Sequence, residues 1–484
     1  MFARRFSTLD VGDAYRIIQK YFLRSAATIC PKQFQGRMSV VCHARTRWAG
    51  RILQSAVKDR LASLALLFFW RLFAPAMPTL TEPPSSLSSS STWAECVQQL
   101  SRRLMAAQRP IRSAEALAWD SQTEHEFLAA GGQVLPRLDR EYYRSRRLPF
   151  DPSRKQEELQ DLERDTQRLL GADSPAGRIL TRICRELVCE VRLLVYRGTT
   201  TFSQISQRLY GSSLSTQTEA WLQVLDELER SFPVNVRMHE PRWTAKEAAE
   251  VLRHRLAWLH PACNSAVQVV DSLDAHCDTN NLRLDRDRKF SALDVRFYES
   301  YYGWAQFATP YNGDRQFVCS FLAVPSASAA GTQEALARLT AFAAGAMTAE
   351  RVQPLRQTIA AIRMAEAGAN FCEVFDYFRS DGGDERVCYR KAQRVFAGSL
   401  PAGCGPLTKE LRAAAALYQL RNAFRSEGPM ELLPLLFAGV TALEDLPYLR
   451  QLSDEGWLSP PQFLPPLDLY SDIGTTPPDD LLPN

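Results

Sequence analysis

From residue 92 to about 452, apolar side chains return every three or four positions in one stretch after another. A chain patterned this way buries its apolar surface as packed helices. The stretch 179–196 shows the pattern, with Ile179, Leu180, Ile183, Cys184, Leu187, Val188, Val191 and Leu194 on an apolar face, and 243–258 repeats it up to Pro261. The period breaks once. Ala266, Val267, Val269 and Val270, then Leu282 and Leu284, form short β-branched or alternating runs with Asp, Thr and Asn between them, which predicts strands. Helical spacing resumes over 291–308, 332–345, 355–367, 371–378, 385–396, 407–424, 430–436 and 443–452. The expected class is α+β, mainly helical, with a small sheet and no internal repeat.

Charge and composition divide the rest of the 484 residues. Residues 1–60 hold 12 basic and 3 acidic side chains, although the whole chain carries only +4. The body is therefore mildly acidic, and nothing in it points to nucleic acid. Residues 1–77 read as a basic extension. An Arg-rich, acid-poor stretch of this kind suits an organelle transit peptide, an arm lying on an acidic polymer, or a dispensable leader. Its one apolar run, 61–70, is half of the roughly 20 residues that a membrane span needs. A Pro/Ser linker is expected at 78–91, a helical part at 92–260, a second part at 261–459 and a Pro-rich tail at 460–484. The 11 cysteines are scattered with no Cys-x-x-Cys pair, which suits reduced thiols and an intracellular setting, cytoplasmic or mitochondrial, and disfavours a cysteine zinc site. None of the 6 histidines follows His276.

One segment carries a specific pattern. Ser291 and Asp294 form a capping-box arrangement that starts a helix, and Thr309-Pro310 is expected to stop it. Asn312-Gly313 and Gln316 come next, and then a helix bearing Gln333, Glu334, Ala335, Leu336 and Ala337. This order resembles the family with a Gln-Glu-Gly-Leu-Ala motif that includes the microtubule-associated tyrosine carboxypeptidases. In that family a Phe-Ser pair precedes a His-Glu-x-x-x-His helix, followed by Asn-Gly, Gln and the Gln-Glu-Gly-Leu-Ala helix. Phe290, Ser291, Asn312, Gly313, Gln316, Gln333, Glu334, Leu336 and Ala337 fit without a gap, and Ala335 replaces the motif's Gly. The likeness extends from Trp93 to the Pro-rich tail. It implies a zincin-like metallopeptidase core, with a helical N-terminal part before it, and a zinc-dependent carboxypeptidase activity on a tubulin-like C-terminal tail.

The chemistry-bearing positions depart from that pattern. Where the resemblance places the two zinc-binding histidines stand Tyr301 and Gln306, and Tyr302 stands at the general base. Glu334 alone survives, at the third ligand. Zinc needs about four donors, and neither a phenol with an ordinary pKa near 10 nor an amide oxygen binds it well at neutral pH. No metal cofactor is therefore expected. A register that uses Tyr298-Glu299 instead breaks the spacing and puts Gly303 at the second ligand. Arg394 and Lys409 remain at positions that the resemblance assigns to the substrate, with Asn312 and Gln316, whereas Ala397 and Ala413 replace an expected arginine and tyrosine.

Each of these residues also has a plainer use. Tyr301 and Tyr302 suit core packing, Glu334 suits a first helical turn, where it would complement the dipole, and Arg394 and Lys409 suit ordinary surface ion pairs. Three functions are compatible with the sequence. The favoured one is a catalytically degenerate relative that binds a peptide or protein C-terminus, or regulates. The alternatives are an active metallo-carboxypeptidase with a non-standard ligand such as Cys319, and a structural protein with a filled cleft.

Overall fold

In the computed structural model, residues 88–230, 240–257, 267–271, 281–403 and 405–466 are described. The chain divides into Met1–Ser85 and Ser86–Asn484, and every described residue belongs to the second unit. The basic stretch 1–77 and residues 467–484 lie outside the described residues. The first described helix, Ser88–Gln108, begins inside the expected linker.

Local signals in the sequence start several of the helices. Pro152–Leu170 and Pro175–Val195 carry proline in the first turn, where no N–H is needed. The side chains of Asp151 and Ser174 accept the N–H groups those turns leave unpaired. Gly171 closes the first of these helices at φ 84°, a conformation open to glycine. The two then pack on each other as a helical hairpin. Thr244 and Glu247 form a capping box that starts Ala245–Leu256.

The strands are few. Among the described residues β1 (Pro241–Trp243), β2 (Val267–Val270), β3 (Leu282–Asp285) and β4 (Phe290–Ser291) make two separate pairs. β1 pairs antiparallel with β4, and β2 runs parallel to β3. The expected small sheet is thus two ribbons, and the protein is mainly helical.

The capping box of Ser291 and Asp294 forms as the sequence predicts. Burial opposes the Asp294 charge, but the Ser291 N–H, Arg288, the Ser291 hydroxyl and Arg351 outweigh it and hold the carboxyl below its usual range. The single ordinary helix expected over 291–308 is replaced by three joined segments. An α-helical turn, Ala292–Phe297, passes into a π-helix, Tyr298–Phe307, and then into a further α-helix, Ala308–Asp314. Pro310 does not stop it. The carbonyls that a residue 310 N–H would meet are already satisfied: Thr309 Oγ1 donates to the Ala305 carbonyl at 2.7 Å and Gln333 Nε2 to the Gln306 carbonyl at 3.3 Å. The helix therefore survives the proline that local sequence rules treat as a breaker.

This continuous motif helix lies between two apolar cores. Tyr301 and Ala305 belong to the larger one, whereas Val295, Phe307 and Ala308 join a smaller one built from Ala245–Leu256 and the strands. Gly303 permits the close approach to Ala245–Leu256, since a Cβ there would run into Leu256 Cδ2.

Gln333 and Asp294 each have a measurable share in this arrangement. Gln333→Ala takes from the Gln306 carbonyl its Gln333 partner and removes a bond that the Thr309 hydroxyl accepts, so thermal or urea unfolding is expected to show a loss of about 1–3 kcal/mol; an unchanged midpoint would refute the account of Pro310. Because the Asp294 carboxyl is lowered on folding, its share of stability is present above an unfolded pKa of about 4 and disappears as pH falls through the folded value. Urea titrations between about pH 2 and 5 are expected to give Asp294→Asn a shallower acid slope than the parent chain. Equal slopes would exclude Asp294 from that role.

Candidate functional site

Glu334 stands on Ala327–Ala343, a helix that Ser326 caps and that begins five residues before the expected 332. The glutamate is therefore in the helix interior, not in a first turn, and the dipole explanation fails. Its helix packs across the π-helical segment and against Leu411–Glu427.

The π geometry decides which side chains meet the carboxylate. Residues five apart diverge by about 140° around an α-helix of 3.6 residues per turn. A ladder of i→i+5 bonds instead brings them nearly above one another. Tyr301 and Gln306 are five apart, and both reach Glu334. The Tyr301 hydroxyl donates to Oε1, and Gln306 Nε2 donates to Oε2 at 3.1 Å. The two positions expected to hold metal ligands thus converge on the third.

A fourth residue completes the cluster. Arg338, one turn beyond Glu334, donates through Nη2 to Oε1 at 2.7 Å. Its side chain is 15% exposed against 26% for Glu334. Burial works against the guanidinium, but the negative charges of Glu334 and Glu410 beside it favour the cation, and its pKa is raised. The i, i+4 spacing of Glu334 and Arg338 was visible in the sequence; what was missed is that the pair would lie at the motif helix. Beside Arg338 is a cavity of about 10 Å³, walled by apolar residues such as Leu225, Phe342 and Leu417, with room for about one water molecule.

The side chains around Glu334 are of the kind that stabilises a carboxylate. Burial first, and then the neighbouring Glu334 charge, push the Tyr301 phenol well above its ordinary pKa, so it stays protonated and donates. The Gln306 amide turns its NH2 toward the carboxylate, and Arg338 already supplies a cation. A divalent ion would meet one carboxylate, two groups presenting hydrogens and a like charge 2.7 Å from that carboxylate.

Tyr302, at the general-base position, is half-buried in an aromatic group. It stacks on Tyr298 with centroids 5.8 Å apart and meets Phe297 and Tyr301 edge-on.

The remaining site expectations separate. Asn312 is buried; its Nδ2 donates to the carbonyls of Phe437 and Phe463 and its Oδ1 accepts the Phe463 N–H. Gln316 is likewise buried, donating to the carbonyls of Ala438 and Ser459 and accepting the Ser459 N–H. Both amides are engaged in fastening the chain's last described segment. Arg394 is exposed and, among the described residues, makes no ion pair. Lys409 is exposed, and its charge acts on Glu190, which accepts a bond from the Ser113 hydroxyl and whose carboxyl burial raises. Neither is the ordinary surface pair expected of it. Cys319 is fully buried with its thiol directed at the Trp457 carbonyl at 3.6 Å, and desolvation pushes its pKa up to about 12, so it offers no thiolate.

The fold and site define a mainly helical protein in which one carboxylate is presented between two facing helices and held by hydrogen-bond donors. The family model for microtubule-associated tyrosine carboxypeptidase matches residues 125–472, well over half of the chain, and the protein belongs to that family. No curated protein and no solved structure matches it.

If Arg338 is the counter-ion of Glu334, Arg338→Leu is expected to lower stability by on the order of 2 kcal/mol, and adding Glu334→Gln is expected to restore part of the loss. A double-mutant cycle by chemical unfolding measures the coupling; strictly additive losses would mean that the two groups act independently.

Proposed function

We propose that this chain is a catalytically degenerate member of the tyrosine carboxypeptidase family that binds a peptide or protein C-terminus without hydrolysing it. The observation that carries this reading is the completeness of the Glu334 cluster. The carboxylate that would be a third zinc ligand already has Tyr301, Gln306 and Arg338 as partners. Hydrolysis of this class needs a polarised water and a base beside it, and the residues at those positions are phenols and an amide.

Recognition does not need the metal. Lys409 and Arg394 are exposed cations suited to a terminal carboxylate, and the family's association with microtubules makes an acidic, tubulin-like tail the candidate ligand. An intracellular setting fits that ligand. Among the described residues no helix is long and apolar enough to cross a membrane.

The test uses one preparation and three measurements. Purified protein incubated with zinc and then desalted is expected to retain far less than one zinc per chain, and to release no tyrosine from an acidic Tyr-ended peptide. The same peptide is expected to bind, more weakly by about tenfold or more when its terminus is amidated or when Lys409→Ala or Arg394→Ala is introduced. Stoichiometric zinc together with chelator-sensitive release of tyrosine would overturn the degenerate reading. Failure of free and amidated peptides alike to bind would leave the third function, a structural protein.

A further inference from the structure

A cleft of about 470 Å³ opens between the C-terminal half of Ser88–Gln108 and the chain at Ala323-Val324. Arg102, Met105 and Arg109 line it from one helix face, at spacings of three and four. The helical ladder extends to Arg109, whose N–H donates to the Met105 carbonyl at 3.1 Å. Arg102 and Arg109 are exposed and, among the described residues, neither side chain has a hydrogen bond or an ion pair; the intervening Arg103 is held by Asp165 at 2.8 Å. Met105 is half-buried and Ala106, which also lines the cleft, is exposed, so two cations flank an apolar floor. The volume is that of a ligand-sized site, and its chemistry calls for an acidic segment with aliphatic side chains.

The chain itself contains such a segment. Residues 467–484 include Asp468, Asp472, Asp479 and Asp480 and no Lys or Arg, and Leu481-Leu482 directly follows the aspartate pair. Residues 1–60, by contrast, carry the opposite sign.

The approach to this segment leads toward the cleft. Asn312 fastens Phe463, and the adjoining Gly313 lies against Leu322 and Ala323 so closely that a Cβ would come within 2.8 Å of the Ala323 nitrogen. The chain therefore reaches its last described residues beside the same short segment whose far end forms the cleft wall. Asp479 is 13 residues beyond Pro466, a reach of on the order of 45 Å when extended.

We infer that Asp479-Asp480-Leu481-Leu482 docks in this cleft, with the carboxylates on Arg102 and Arg109 and the leucines on Met105 and Ala106. Tethering favours this occupant over a free peptide of similar sequence, because a linker of this length supplies a high effective concentration.

Hydrogen exchange on the full chain, read by mass spectrometry over residues 467–484 and 102–109, tests the inference. Exchange at 479–482 is expected to be slower by about threefold or more than in Arg102→Glu/Arg109→Glu. It is expected to be equally fast in Asp479→Lys/Asp480→Lys, and slow again when both pairs of reversals are combined. Recovery in the combined variant separates charge pairing from damage to the fold. Tail exchange that ignores all three variants would overturn the inference. So would capture of a synthetic acidic peptide in the cleft of the full chain as tightly as in Asp479→Lys/Asp480→Lys, since the cleft would then serve an external ligand.

Discussion

A carboxylate that is three-quarters withdrawn from water needs hydrogen bonds and a nearby positive charge, and the contact between Tyr298–Phe307 and Ala327–Ala343 meets that need for Glu334. Tyr301 and Gln306 supply the hydrogen bonds and Arg338 the charge. The guanidinium is attached to the same helix one turn away, so the cation comes with the fold. In a metal site the same carboxylate would present lone pairs to an ion held jointly by its neighbours. Here the neighbours present hydrogens to the carboxylate, and the polarity of the site is reversed. The proposal of a catalytically degenerate relative rests on that arrangement of donors around Glu334.

The frame depends on an unusual helix. A run of i→i+5 bonds from Tyr298 to Phe307 puts residues 301 and 306 on one face, and the flanking α-helical turns keep the segment continuous through Pro310. Gly303 lets this helix approach the smaller core, while Tyr301 and Ala305 face the larger one. The site therefore lies where two cores meet. Asn312 and Gln316, just beyond, fasten the segment from Phe437 to Phe463 to the same unit.

How much of this was legible beforehand varies with the range of the interaction. Helix-start signals are local, and Ser291 with Asp294, Asp384 before 385–396 and Asn370 before 371–379 each act where the sequence places them. Helix ends were less legible. Pro310 reads as a stop because its missing N–H leaves carbonyls unpaired, and those carbonyls are satisfied by Thr309 and by Gln333 from another helix. The site residues were legible as positions. Tyr301, Gln306 and Glu334 do come together, and Asn312 and Gln316 bond backbone partners more than 120 residues away, which no local signal announces.

The order of Phe290-Ser291, Asn312-Gly313, Gln316 and Gln333-Glu334 was enough to indicate the family, and the absence of any histidine after His276 was enough to question its zinc chemistry. Both are statements about which side chains exist, and a sequence contains all of that information. What occupies the space around Glu334, and with which atom turned toward it, was decided by helix packing. The i→i+5 ladder, the rotation of the Gln306 amide and the burial of Arg338 depend on neighbours that only the folded chain brings within reach.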